Sequence, residues 1–365
     1  MISGIINSTP FSVYNLNGEM IVIPPSTPFY VSWKPSDISS GTFILNSTTR
    51  NFSDYSGYCE FTGGLIDQRA FRSADITEVE TNAITLSNGA FTDCSLLSIV
   101  NLTECTSIGY AAFTAKESWS DGVKIFFTEL EQVSMEKCKY ISGLAFTGQC
   151  KLSNISLPYC SFIGSGAFKF CYSLEKLSLP RCITLYGTQA FAYCSALSQV
   201  NLPECTRVGG TAFENCRSLS QVSLPKCTSV GGGAFTNCES LSKINLPSCR
   251  ELVYRAFYGC TSLTQVSLPV CSQIGENVFY NCTALSEIVL PKCEYIGTYA
   301  FGYCSSLSVI TLGCSVVCSL SSYAFYGTWI ETLSGSIYVP SSLVSAYKTA
   351  DLWYQYSNII YPIPS

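Results

Sequence analysis

The residues of this chain best equipped for chemistry are its 21 cysteines. A thiolate attacks electrophiles, holds zinc, or pairs into a disulfide. The spacing is regular. Nine cysteines close the pattern LxxφxφxxC, with φ apolar, at Cys105, Cys138, Cys160, Cys182, Cys205, Cys227, Cys249, Cys271 and Cys293. Eight more follow a phenylalanine by three residues, at Cys94, Cys171, Cys194, Cys216, Cys238, Cys260, Cys282 and Cys304, and Cys150 follows Phe146 by four. Nucleophilic use needs a nearby base. The chain has no histidine, which removes Cys-His and Ser-His-Asp catalysis together with every histidine metal site. Structural zinc uses close CxxC-type pairs, whereas the closest pair here, Cys314 and Cys318, has three residues between them. No acidic pair stands out for glycosidase-type work. The expectation is no catalytic residue, no metal and no cofactor.

What positions the cysteines is a repeat. An Ala-Phe pair, once Val-Phe, places Phe91, Phe113, Phe146, Phe168, Phe191, Phe213, Phe235, Phe257, Phe279, Phe301 and Phe325, mostly 22 residues apart. In the unit "LSQVSLPKCTSVGGGAFTNC", Val222 and Leu224 alternate as in a strand with one buried face. Pro225 then removes an amide donor and stops the ladder. Gly231, Gly232 and Gly233 suit a reversal with positive φ, and Ala234 and Phe235 return to the interior. Asn237, like Asn215, Asn281 and Gly259, suits a left-handed turn before the second cysteine. One unit cannot bury its own apolar face, but stacked units can. The expected fold is a repeat solenoid, a right-handed coil with one short parallel β-strand per repeat. Equivalent cysteines then stack about 4.8 Å apart with parallel side chains, against about 3.8 Å between the Cβ atoms of a disulfide. The thiols are therefore expected to be free, as small apolar filler in a narrow core.

The pattern LxxLxLxxC is similar to the leucine-rich repeat signature, and the added elements LPxC, IGxxAF and C(x)SL resemble the BspA-like subfamily found on surfaces of anaerobic bacteria and some protozoa. The resemblance spans about residues 65 to 340. It implies a non-enzymatic binding or adhesion module for a protein or glycan, secreted or on the cell surface. The chain as given shows no signal peptide, having no basic residue before Lys34 and no long apolar core near its start. An alternative role is a structural or receptor-binding component of a phage tail or surface fibre, assembled into a larger particle.

The repeat divides the chain. Residues 1–64 do not follow it and carry Pro24, Pro25, Pro28 and Pro35 beside β-prone runs, which predicts a β-rich cap or attachment domain. Residues 65–335 are the repeats, and 336–365 a C-terminal cap in which a strand precedes a short helix. Ser341 or Ser342 is expected to cap that helix, with Leu343, Tyr347 and Leu352 inward.

Three surfaces are candidates for binding. Between Phe113 and Leu130 the period is broken by an insertion containing "KESWSDGVKIFF", where Trp119, Phe126 and Phe127 form an aromatic tip or fold back on the core. Outward positions of the strands give a ladder of amides and hydroxyls: Gln199 and Asn201, Gln221 and Ser223, Lys243 and Asn245, Gln265 and Ser267, then Glu287 and Val289. Tyr258, Tyr280, Tyr303 and Tyr326 form a third patch beside the phenylalanine turn.

Composition sets outer bounds. The 365 residues are 47% hydrophobic and only 12% charged, against about 25% in ordinary soluble domains, so the surface is polar rather than ionic. A net charge of −5 without a Lys/Arg run argues against a nucleic-acid footprint. No apolar run reaches the roughly 20 residues of a membrane span, so no membrane insertion is expected. In stability, a central Phe235→Ala is expected to be costly and the terminal Phe325→Ala milder, since an end coil has a neighbour on one side only.

Overall fold

The computed structural model describes residues 12–14, 20–22, 29–32, 42–45, 48–51, 58–61, 65–66, 68–74, 76–120 and 123–364. The alternating inward positions of the strands, such as Val200, Ile244 and Ile288, point to one continuous core, and about 13 turns stack along it as a parallel-strand solenoid. The expected strand recurs in each coil, for instance at Gln199–Asn201 and Gln221–Ser223, which pair parallel with Val200 opposite Val222. Each coil also carries a second, two-residue strand just after the first cysteine, such as Arg207–Val208 and Ser229–Val230. Two residues are too few to show a period, so this row is invisible in the sequence.

The phenylalanines form a column down the axis. Twelve rings, from Phe71 to Phe325, stack at 5.1–5.8 Å with interplanar angles of 2–11°. Spacings of this size between near-parallel rings fit offset stacking, which suits the aromatic quadrupole better than a direct sandwich. Backbone bonds tie each ring to the next coil, as when Phe235 N–H donates to Ala256 O at 2.9 Å.

The thiols do more than fill space. All 20 described cysteines are free, and all but Cys150 are buried. In the second column each S–H donates to the phenylalanine carbonyl of the preceding coil: Cys216 to Phe191 O at 3.2 Å, Cys238 to Phe213 O at 3.3 Å, Cys260 to Phe235 O at 3.2 Å. In the first column the donation runs to the carbonyl two residues on, as from Cys227 to Ser229 O at 3.2 Å. Alanine or valine would fill the space but give no donor. Cys59 has its side chain outside the described residues.

Two residues per coil are left-handed. The expected turn before the second cysteine is present at Asn215, Asn237, Asn281 and Gly259, and Tyr193 and Tyr303 adopt it too. The second lies two residues before each phenylalanine, at Gly233 (φ 65°) but equally at Thr211 (φ 51°), Arg255 and Asn277. A β-branched residue is the least suited to that region. Thr211→Gly is therefore expected to stabilise the chain by about 0.5–1 kcal/mol, the relieved strain exceeding the added chain entropy. An unchanged or lowered urea midpoint would contradict this.

Antiparallel strands extend the long row at its start, whereas most of residues 1–64, where a β-rich cap or attachment domain is expected, lies outside the described residues. Phe29–Ser32 pairs antiparallel with Tyr58–Phe61 and with Glu78–Thr81, the first strand of the long row. At the other end, Ser336–Val339 is followed by helix α1 (Val344–Thr349), a 3-10 segment (Tyr354–Ile359) and a last parallel strand, Ile360–Pro362, after which Ile363 N–H donates to Val339 O at 2.9 Å. The serine cap expected for α1 is absent. Leu343 stands at the N-cap without a side-chain bond, because the preceding 3-10 turn, Ser341–Leu343, already feeds the helix. Of the three residues expected inward only Tyr347 is fully buried; Trp353 and Tyr356 join it. Trp353 Nε1–H donates to Cys318 O at 2.6 Å, and Tyr347 OH accepts from Cys318 N–H at 2.9 Å.

Candidate functional site

The alternation that buries Val200, Ile244 and their equivalents turns the flanking residues to solvent. Gln199, Asn201, Gln221, Ser223, Lys243, Asn245, Gln265 and Ser267 are all exposed on this strand face. Register lines them up one coil apart, and Gln199 Nε2–H donates to Gln221 Oε1 at 3.1 Å. Val289, 54% exposed, ends the polar run.

The same face continues upstream. Gln132, Ser134, Asn154, Ser156, Lys176 and Ser178 are exposed in the equivalent positions. Strand pairing is interrupted here in both rows at one coil boundary, after Asn154–Ile155 in the long row and after Phe162–Ile163 in the short one. A groove of about 1030 Å³ opens across that joint, lined by Gln132, Ser134, Asn154 and Lys176 and flanked by Glu131, Glu136, Glu175 and Lys151. Lys151 lies against Glu129, whose hydrogen bond raises the lysine pKa. The groove therefore offers carboxylates, ammonium groups, amides and hydroxyls within a few coils.

The insertion folds as an antiparallel hairpin, Lys116–Ser120 with Val123–Phe127. Alternation separates Phe126 from Phe127: Phe126 turns to the solenoid and meets Phe170 at 5.3 Å and Tyr172 at 6.4 Å, while Phe127, on the other face, is 46% exposed. Trp119 shares the Phe126 face but lies near the tip of the hairpin and is 64% exposed. Gly148 (φ +79°) lies beneath the Phe126 ring, where a Cβ would run into it. Lys124 Nζ pairs with Glu117 at 2.5 Å and sits 5.4 Å from the Phe170 ring. Lys169 lies 4.9 Å from the same ring; burial chiefly lowers its pKa, with Lys124 adding to that and Glu214 opposing. Tyr172 also lines the strand-face groove, so the hairpin and the groove, separate in sequence, share a wall.

The spacing of the two strand rows and the phenylalanine column is that of a leucine-rich repeat, and the BspA type leucine rich repeat profile matches six copies over residues 62–121, 124–242 and 228–350. The chain belongs to the BspA-type leucine-rich repeat family. A leucine-rich repeat protein from Bacteroides ovatus shares its fold, with 20% identity and a TM-score of 0.54 over 99% of this chain and 100% of that one. A leucine rich cell surface protein from Faecalibacterium prausnitzii aligns at 17% identity and a TM-score of 0.45, covering 100% and 99% of the two chains. The pneumococcal vaccine antigen PcpA aligns at 17% and 0.48, covering 84% and 86%. No curated protein matches the chain.

In this BspA-type solenoid the thiols are held away from reactivity. Burial pushes Cys105, Cys160 and Cys271 up to about 12, and Cys238 well above its ordinary value. Among the described residues no three His, Cys, Asp or Glu side chains are placed to hold a metal ion, and no helix is long and apolar enough to cross a membrane. The groove at residues 131–178 was open to sequence reasoning only in part. Its side chains occupy the same third and fifth motif positions as the ladder from Gln199 onward, but nothing in the motif marks the joint that hollows the face.

Proposed function

We propose that this BspA-type repeat protein is a non-enzymatic binding module of the cell exterior, taking an extended protein segment or glycan along its strand face. The observation that carries the reading is the groove across the joint, with polar groups of both charges and the Tyr172–Phe126 wall at its side. An extended ligand meets one polar rung per coil along a parallel sheet, so weak contacts repeat in register. The aromatic wall supplies an anchor of the kind that dominates interface energetics.

Three altered proteins separate the surfaces: Gln132→Ala with Lys176→Ala in the groove, Gln221→Ala with Lys243→Ala on the ladder, and deletion of residues 116–126. The deletion restores the ordinary six-residue step from Phe113 to Leu130, so the solenoid is expected to stay folded. Exposed substitutions of this kind move stability by less than about 0.5 kcal/mol, so lost binding reports contact. Against a glycan array and a panel of extracellular-matrix proteins, the groove pair is expected to weaken binding roughly tenfold or more and the ladder pair less. Binding that is unchanged in all three, or absent from both panels, would count against this surface.

A further inference from the structure

At the C-terminal end a second column of rings runs beside the phenylalanines. Tyr299 stacks on Tyr323 at 5.2 Å and 11°, and Tyr323 is 60% exposed. The next layer is not another repeat but the cap, and a hollow of about 380 Å³ lies between them, within the range of small-ligand sites. Tyr323 and Tyr326 form two of its walls, their rings 6.2 Å apart and at 83°. Tyr356, Leu352 and Gln355 come from the cap side, and Glu331 lines the hollow beside Ser322 and Leu333. One Glu331 carboxylate oxygen is fixed by the Gly327 N–H at 2.7 Å. No lysine or arginine lines the hollow, and Glu331 forms no ion pair among the described residues. Its charge is felt locally: burial first, and Glu331 second, push the Tyr356 phenol up to about 12.

We propose that this corner of tyrosines with its single carboxylate binds an alkylated ammonium group, carried by a small molecule or lipid head group or by a methylated lysine side chain. Ring faces attract a weakly hydrated cation, and two rings at right angles with a carboxylate in the same lining offer it both kinds of attraction. A neutral ligand filling the hollow would take Glu331 out of water without a counter-charge, and an anion would meet it directly. An ammonium ion is the class that offsets both.

The full chain is titrated by calorimetry and saturation-transfer NMR with choline, with Nε-trimethyllysine, and with 3,3-dimethylbutanol as the uncharged isostere of choline. At least one of the two cations is expected to bind, and the isostere roughly tenfold more weakly or not at all. Choline alone assigns the site to a small or head-group ammonium; trimethyllysine alone assigns it to a side chain. Tyr323→Ala and Glu331→Gln should each weaken binding several-fold to tenfold, while Tyr323→Phe keeps it. The glutamine retains an acceptor for Gly327 N–H, and position 323 is exposed, so both proteins keep the fold. Equal binding of the isostere, no binding of either cation, or indifference to both substitutions would overturn the proposal.

Discussion

Raising the pH from about 9 to about 11 is expected to unfold the solenoid cooperatively. Cys105, Cys160, Cys182, Cys227, Cys249, Cys260 and Cys271 are pushed up to about 12, in each case chiefly by burial. In the unfolded chain a thiol loses its proton near pH 8.5. Above that value the folded state binds more protons than the unfolded one, so this stabilisation is complete below about pH 8.5 and declines as pH rises toward 12. Each thiol costs the fold about 1.4 kcal/mol per pH unit in that window, and seven together on the order of 10 kcal/mol per pH unit, so that one unit is comparable with the whole stability of a domain. Cys293 runs the other way, lowered by the bond from Cys318 at 4.0 Å, and offsets little. Trp353 fluorescence and circular dichroism should show one transition in this range, with the thiols inert to alkylation at pH 8 until denaturant is added. A chain still folded at pH 11, or ten thiols readily labelled at pH 8, would sink the account.

Phe235→Ala is expected to cost about 3–5 kcal/mol, and Phe325→Ala nearly as much. The first ring is stacked on both sides, by Phe213 at 5.4 Å and Phe257 at 5.3 Å. The second was expected to be milder as a terminal coil, but the cap supplies the missing neighbour. Phe325 meets Phe301 at 5.8 Å on one side and Tyr356 at 5.7 Å and Trp353 at 6.1 Å on the other. A solenoid end is energetically an end only where nothing covers it. Urea midpoints of the two substituted chains should lie close together; a Phe325→Ala protein as stable as the parent would show that the cap does not grip the column.

The repeat declared the coil through side chains that alternate over a strand and through Pro225-type stops, so the long row and the core positions were legible. No clean LxxφxφxxC follows the Ala70–Phe71 pair, so the pattern does not mark it, yet Phe71 stacks on Phe91 at 5.1 Å. The reason for cysteine was only half legible: volume follows from composition, whereas a bond from Cys238 to Phe213 O depends on the stagger between coils. Trp119, Phe126 and Phe127 sit within nine residues, but hairpin register, which a short insertion does not disclose, decides which ring turns inward. The division into 1–64, 65–335 and 336–365 follows the loss of the repeat at either end of the sequence.

The last strand bears on how such a molecule avoids becoming a fibre. Stacked parallel coils present an open row of backbone donors at each end, which invites a second molecule to continue the sheet. Ile363 donates inward to Val339 O, and alternation along the strand turns positions 360, 362 and 364 outward. Two of these, Pro362 and Pro364, have no N–H to give. A strand added along that edge would therefore find two of the three outward donors missing, so the sequence of the strand itself weakens sheet extension there.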